Sequence, residues 1–144
     1  MDIETDNWTL AQYRDPESPQ IWIFRKNQAP SVKPGSASHP HVCYLTFGYV
    51  PEDASGLPSS EDATRLQNIE ATDVLDLERG GLAVLVGVAL KNGIKDFIFY
   101  TSDPKEFLVR AAAIRDSHIE FKLGCEVAKD KKWSHYLDFP GTAA

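Results

Sequence analysis

Runs of apolar and polar residues with strand-like or helix-like periods follow one another along the chain. Two short β-rich runs around a Pro-containing turn predict an N-terminal hairpin at about residues 8–24. A stretch rich in Pro and Ser predicts an exposed loop at about residues 27–40. Runs rich in β-branched and aromatic residues predict four further strands, at 41–50, 82–90, 94–100 and 121–127.

Two amphipathic helices separate these four strands. Ser59 and Asp62 have the spacing of a capping box, which predicts a helix that runs to about Glu78 and stops at Gly80-Gly81. The apolar stripe of this helix consists of Ala63, Leu66, Ile69, Val74 and Leu77. Asp103 and the proline after it predict the start of the second helix.

The order of the elements from residue 41 predicts the fold class. Strand, helix, strand, strand, helix, strand is the ferredoxin-like split βαβ (βαββαβ) motif, an α+β antiparallel sheet with two helices. We therefore expect one domain over residues 1–144, in which the hairpin and loop precede a core at about 41–129 and a segment containing Trp133 and Tyr136 follows at 130–144. The apolar strand 82–90 falls at a sheet edge in this motif. We expect the hairpin, or a second copy of the chain in a homodimer, to cover that edge.

Composition limits the class of protein. The 144 residues are 42% hydrophobic with a mean hydropathy of -0.32, which is typical of a soluble globular domain. The acidic N-terminus and the absence of a long apolar run argue against export and against a membrane span. Cys43 and Cys125 are far apart in the sequence, which excludes a CxxC motif and predicts a cytoplasmic location.

The net charge of -6 is concentrated in residues 52–79. An acidic chain is a poor candidate for binding nucleic acid, because phosphate contacts require Lys and Arg. We expect Asp62, Asp73 and Asp76 to lie along one flank of the first helix. They could bind a basic protein partner, or they could form an ordinary solvated helix face.

Glu70 is a second candidate, because it lies within the apolar stripe of the first helix. Burial there would raise the pKa of its carboxyl group and make it a possible general acid in a pocket. A structural role for Glu70 is the alternative, either at the margin of the stripe or accepting a hydrogen bond from Tyr44, Tyr100 or an indole.

His39, His41 and Cys43 form a third cluster, suited to a metal or to a nucleophile. Further ligands would have to come from His118 or His135, and the spacing supplies neither. We therefore predict no metal, no cofactor and no catalytic residue. Cys43 lies in mid-strand, where we expect a buried, protonated thiol.

Several of these segments together resemble the bacterial family known as domain of unknown function 695. The resemblance is carried by Trp8 with Tyr13, by the turn at 56–58 and its helix, by the run from Leu82 through Asn92-Gly93 to Tyr100, and by the segment 130–140. That family has no assigned activity, so the resemblance implies a fold and no reaction. The ending with Trp133, Tyr136 and Pro140 is also similar to that of the type B regulator of ribonuclease E activity, which implies binding to another protein.

Two functions remain open from the sequence. The first is a non-enzymatic protein-binding or regulatory module that presents the acidic helix. The alternative is a small enzyme or ligand-binding protein, with a pocket between the sheet and the hairpin and with Glu70 or His41 as its polar group. No short catalytic motif is present, which favours the first function without excluding the second.

Overall fold

Six strands form one antiparallel sheet in the computed structural model, which describes residues 7–140. The strands are β1 (Trp8–Arg14), β2 (Ile21–Asn27), β3 (His41–Gly48), β4 (Ala83–Lys91), β5 (Ile94–Thr101) and β6 (Lys122–Lys129). The α-helices are α1 (Ser60–Ile69), α2 (Pro104–Ser117) and α3 (Ser134–Asp138). The strand order β1-β2-β4-β5-β3-β6 and these helices define an α+β fold. Within the described residues, no helix is both long and apolar enough to cross a bilayer.

Local sequence signals fix several element boundaries as predicted. The side chain of Ser59 accepts a hydrogen bond from the Asp62 amide at the start of α1, and Asp103 does the same for Glu106 at the start of α2. Asn92 and Gly93 adopt φ angles of 49° and 86°, which give the tight β4–β5 hairpin that this dipeptide favours.

The N-terminal hairpin extends the sheet. β2 pairs with β4 from Ile23–Leu90 to Lys26–Gly87, so that β4 lies inside the sheet and β1 and β6 form its edges. This pairing covers the 82–90 strand within the chain, which is the first of the two alternatives that the sequence left open. It also extends the hairpin to Asn27, beyond the predicted end at residue 24.

The first predicted helix changes form along its length. α1 ends at Ile69, and a π turn (Glu70–Val74) and a 3₁₀ segment (Leu75–Gly81) continue the path. In the π turn the Leu75 amide donates to the Glu70 carbonyl, five residues back, which changes the angular spacing of the side chains. The expectation of one regular helix to Glu78 was therefore wrong, although its apolar stripe is buried or half-buried.

Each face of the sheet has its own apolar core. On one face, α1, the π turn, the 3₁₀ segment and α2 cover the strands with Leu66, Ile69, Val74, Leu77, Phe107, Ala111 and Ile114. On the other face, Trp133 and Tyr136 cover Val42, Val84, Val86, Ile98 and Tyr100. Trp133 is fully buried, stacks on Tyr100 with ring centroids 4.0 Å apart, and donates its indole N–H to the His39 carbonyl. The segment after β6 is therefore an integral part of the fold.

Candidate functional site

The π turn places Glu70 beside the sheet. Residues five apart share a side of this turn, so Ile69 and Val74 both enter the core. Glu70 and Leu75, also five apart, both face a cavity between the π turn and strands β2, β4 and β5. π turns occur frequently at functional sites, and here the turn directs a carboxylate into a cavity.

Two cations from the sheet hold the Glu70 carboxylate. Nη2 of Arg25, on β2, donates to both carboxylate oxygens at 2.8 and 2.9 Å. Nζ of Lys95, on β5, lies 3.1 Å from Oε1 of Glu70. The strand β4 lies between these two strands, and its Val88 pairs with Arg25 while its Leu90 pairs with Lys95. Because residues directly opposite in a sheet point to the same face, both cations reach the same carboxylate.

Burial changes the protonation chemistry of this cluster. The side chains of Arg25, Glu70 and Lys95 are 36%, 15% and 9% exposed. Burial lowers the pKa of Lys95 and the charge of Arg25 lowers it further, although the Glu70 carboxylate opposes both effects. Burial by itself would raise the pKa of Glu70, but the hydrogen bonds and charges of Arg25 and Lys95 outweigh it and hold that pKa below its ordinary value. The pKa of Glu70 is therefore shifted opposite to the direction that burial alone would give.

The cavity beside this cluster has a volume of about 450 Å³. Apolar side chains form most of its wall, and these are Ile23, Ala71, Leu75, Val88 and Leu90. Its polar groups are the amide of Gln67 and the Arg25–Glu70–Lys95 cluster. Apolar walls with a few convergent polar groups are typical of small-molecule sites.

The cluster has unused hydrogen-bonding capacity. Two cations beside one carboxylate leave a net positive charge at the cavity. Arg25 contacts Glu70 through Nη2 alone, and among residues 7–140 no hydrogen-bond partner is found for its Nη1 and Nε. Each of these free N–H groups can donate a charge-assisted hydrogen bond to an oxygen of a carboxylate or phosphate.

The acidic residues proposed as a docking surface all have basic partners within the chain. Asp73 contacts Nε2 of His118 at 2.5 Å, and Asp76 contacts Arg79 at 3.1 Å. Asp62 lies 3.9 Å from Arg65. Asp62 lies in α1, Asp73 in the π turn and Asp76 in the 3₁₀ segment. The helix form changes between them, so the three carboxylates do not follow the regular α-helical spacing that the sequence predicted.

The His39–Cys43 cluster has other partners. His39 is buried and hydrogen-bonds Ser38 and the Gly81 carbonyl through its two ring nitrogens. Nδ1 of His41 is buried, with no hydrogen-bond partner among the described residues, and His41 lies outside the Glu70 cavity. Burial raises the pKa of the Cys43 thiol, as expected for a mid-strand cysteine. Within residues 7–140, no group of three or more His, Cys, Asp or Glu side chains forms a potential metal site.

Cys43 and Cys125 lie on the neighbouring strands β3 and β6, as the predicted strand order required. The register pairs Cys125 with Leu45, so the two cysteines are diagonal neighbours and both thiols are free. His135 donates to or accepts from the Tyr44 hydroxyl through Nδ1, at 2.9 Å. The histidines proposed as further ligands, His118 and His135, are thus engaged elsewhere.

Sequence reasoning identified Glu70 but missed Arg25 and Lys95. Arg25 follows the predicted end of β2, although it continues the alternation of Ile21 and Ile23. Lys95 is a charged residue near the start of an apolar strand, and a charge at an inward position of a strand is the signal that could have found it. The pairing of both with Glu70 depends on the β2–β4 contact, which nothing in the local sequence specifies.

Comparison with models of known protein families places the chain. The model of the family of unknown function DUF695 matches residues 6–139. The chain therefore belongs to this family, as its sequence resemblance indicated. No curated protein and no solved structure matches the chain.

Proposed function

We propose that this protein binds a small amphipathic anion in the cavity between β2 and the π turn. This is the ligand-binding alternative of the two functions that the sequence leaves open. The observation that carries it is the Arg25–Glu70–Lys95 cluster at the wall of an apolar cavity. The ligand class follows from the charge and the walls of this cavity.

The charge favours an anion. The cluster has an excess of one positive charge, and the free N–H groups of Arg25 can donate charge-assisted hydrogen bonds to a carboxylate. Such bonds are stronger in a site with little water than on an open surface. The acidic helix offers no comparable feature, because each of its three carboxylates already contacts a basic side chain.

The walls favour an apolar chain on that anion. Leu75 is 41% exposed at the cavity, and Leu10, directly opposite Arg25 on β1, is 69% exposed. An alkyl chain that leaves the cavity beside Arg25 would cover both leucines, and each buried methylene contributes about 0.8 kcal/mol.

A matched pair of probes tests the proposal. Octanoate and octan-1-ol share an alkyl chain and differ in charge. Their dissociation constants, measured by isothermal titration calorimetry, therefore separate the requirement for an anion from the requirement for an apolar chain. We expect octanoate to bind the wild-type protein more tightly than octanol. Arg25→Gln should weaken octanoate binding about tenfold or more, because it removes a charge-assisted bond, and should leave octanol binding unchanged.

Arg115→Gln is the control for this experiment. Arg115 carries the same charge on α2, where its side chain is 60% exposed and pairs with Asp116. This variant should bind octanoate like the wild type. Equal binding of octanoate to Arg25→Gln and wild type, or no binding of either probe, would contradict the proposal.

We also propose a ferredoxin-like unit at about residues 41–129 and a cytoplasmic location. The strand order β4-β5-β3-β6, with α1 and α2 on one face, supports the first proposal. The two free thiols support the second, since paired cysteines are typical of oxidising compartments.

A further inference from the structure

We propose that Lys95 forms a reversible covalent adduct, an iminium, with a carbonyl group of the bound anion. The ligand class then narrows to aliphatic oxo acids, molecules that carry both a carboxylate and a ketone or aldehyde. This inference rests on the proposed function, because it uses the same cavity and the same anion site.

The position of Lys95 is unusual for a lysine. The residue is 7% exposed, although it lines a cavity of about 450 Å³. Its Nζ contacts Oε1 of Glu70 and lies 5.3 Å from the centroid of the Phe97 ring, and no other polar partner is found for it among the described residues. The ammonium group thus has donors free on the cavity side, where a ligand atom can reach it.

The surroundings make this ammonium group easier to deprotonate than that of an exposed lysine. Burial and the Arg25 charge both disfavour the charged form of Lys95, and together they outweigh the attraction of Glu70. Arg25 also neutralises much of the Glu70 charge that would otherwise stabilise the ammonium. Desolvation and a neighbouring cation are the two means by which an amine is activated as a nucleophile.

The reaction needs no further reagent. The nitrogen lone pair of the neutral amine attacks the carbonyl carbon, the C–N bond forms, and the carbonyl π electrons move to oxygen. The carbon–oxygen bond of the resulting carbinolamine then breaks. Starting from the ammonium form, two of the three nitrogen-bound protons leave with that oxygen as water, and the nitrogen keeps one in the iminium. Glu70, 3.1 Å from Nζ, is placed to carry these protons as a base and then as an acid.

The spacing of the two cations matches an oxo acid. Nη2 of Arg25 and Nζ of Lys95 both contact Oε1 of Glu70, at 2.8 and 3.1 Å, so they are at most about 6 Å apart. A 2-oxo acid carries its carbonyl carbon next to its carboxylate. A carboxylate on the free N–H groups of Arg25 and a carbonyl carbon facing Nζ would then occupy neighbouring positions beside the same cluster.

Reductive trapping tests this inference. The wild-type protein is incubated with 2-oxooctanoate and sodium cyanoborohydride, which transfers a hydride to the iminium carbon and leaves a stable secondary amine. Peptide mass mapping then gives the modified fraction at each lysine. We expect Lys95 to be modified at least about tenfold more than any other lysine. We expect the adduct to be absent from Lys95→Arg and retained in Lys91→Arg, whose lysine contacts the Trp22 and Phe24 rings outside the cavity.

Octanal, a neutral aldehyde without a carboxylate, separates the role of Arg25 from that of Lys95. Arg25→Gln should slow the trapping of 2-oxooctanoate about tenfold or more. It should slow the trapping of octanal at Lys95 less, because octanal loses only the effect of the Arg25 charge on the Lys95 amine. Glu70→Gln should slow both reactions, since the proton carrier is lost. The mapping of the wild-type chain needs no variant, so a folding defect in one variant does not remove the test.

Two results would overturn the inference. One is an adduct spread evenly over the lysines, and the other is octanoate binding with Lys95 unmodified by 2-oxooctanoate. In the second case the proposed anion site stands and only the covalent step fails. Absence of octanoate binding itself overturns the proposed function, and this inference with it.

Discussion

Asp130 connects the second apolar core to the backbone of the segment after β6. Its carboxylate accepts hydrogen bonds from the Tyr100 hydroxyl at 2.6 Å, from the Ser134 amide and hydroxyl at 3.1 and 2.7 Å, and from the His135 amide at 2.9 Å. Burial would raise the pKa of Asp130, but these four bonds outweigh it and lower that pKa to about 2. Because these bonds stabilise the ionised carboxylate in the folded state, they add to the free energy of unfolding.

Asp130→Asn tests this contribution. A folded-state pKa of about 2 against an ordinary value of about 3.9 corresponds to roughly 2 kcal/mol. The stabilisation is complete above the unfolded-state pKa and is lost as the pH falls through the folded-state pKa. We therefore expect the variant to lose about 2 kcal/mol of unfolding free energy at pH 7 and to approach the wild type near pH 2, measured by urea denaturation across this range.

Asp116→Asn is the comparison for Asp130→Asn. The side chain of Asp116 is 73% exposed and, among residues 7–140, pairs only with Arg115, so its replacement should change stability by less than about 0.5 kcal/mol. A loss in Asp130→Asn that is as large at pH 2 as at pH 7 would assign the effect to packing and not to charge.

At the scale of elements, a glycine on β4 leaves room for the segment after β6 to pack against the sheet. The register of β4 against β5 shifts between Leu85 and Gly87, and the Phe139 ring lies over Gly87. A Cβ atom at Gly87 would lie 3.0 to 3.2 Å from three atoms of that ring. Phe139 also makes an edge-to-face contact with Phe24 on β2, so the ring joins two strands.

Gly87→Ala should therefore destabilise the protein. The new methyl group forces the Phe139 ring to move, and overpacking of this kind costs about 1–3 kcal/mol. Gly124→Ala is a matched control in β6, because a Cβ there meets nothing within 4 Å. We expect it to be neutral or to stabilise by up to about 1 kcal/mol, because glycine weakens a strand. Chemical denaturation of both variants checks this, and equal stabilities would show that the ring moves without cost.

The predictions from sequence succeeded where the determinants are local. Ser59, Asp103 and Asn92-Gly93 act on residues within one turn of themselves, and the structure has all three features. The π turn was missed, because it depends on Ile69 and Val74 both packing against the sheet. Glu70 was found as an off-pattern carboxylate, but its ionised state depends on Arg25 and Lys95, which only the long-range strand pairing brings to it.

At the scale of the whole molecule, the sheet is covered on both faces. Helices cover one face, and the segment around Trp133 and Tyr136 covers the centre of the other. Tyr136 donates its hydroxyl to the Asn27 carbonyl on β2, and Lys26 donates to the Phe139 carbonyl. The N-terminal hairpin and the segment after β6 therefore hold each other against the sheet, and the second core depends on both.

Trp133→Ala should be among the most damaging single substitutions. Trp133 is 0% exposed, and removal of a buried Trp side chain costs about 3–5 kcal/mol. Trp22→Ala, at a tryptophan that is 40% exposed on β2, should cost about 1 kcal/mol or less. Thermal and urea denaturation of the two variants measures the difference. Similar stabilities of the two variants would show that the second core contributes little.

The contact between Tyr136 and Asn27 also has a consequence for the order in which the chain can fold. It joins residues that are 109 positions apart in the sequence, and β2 must wait for β4 before it enters the sheet. Contacts of such sequence separation slow folding, because the loop entropy is lost before the contact forms. During synthesis on the ribosome, the face centred on Tyr100 stays uncovered until residues 133–139 have left the exit tunnel. The nascent chain therefore exposes an apolar sheet face to other nascent chains from the emergence of β5 until the emergence of residues 133–139.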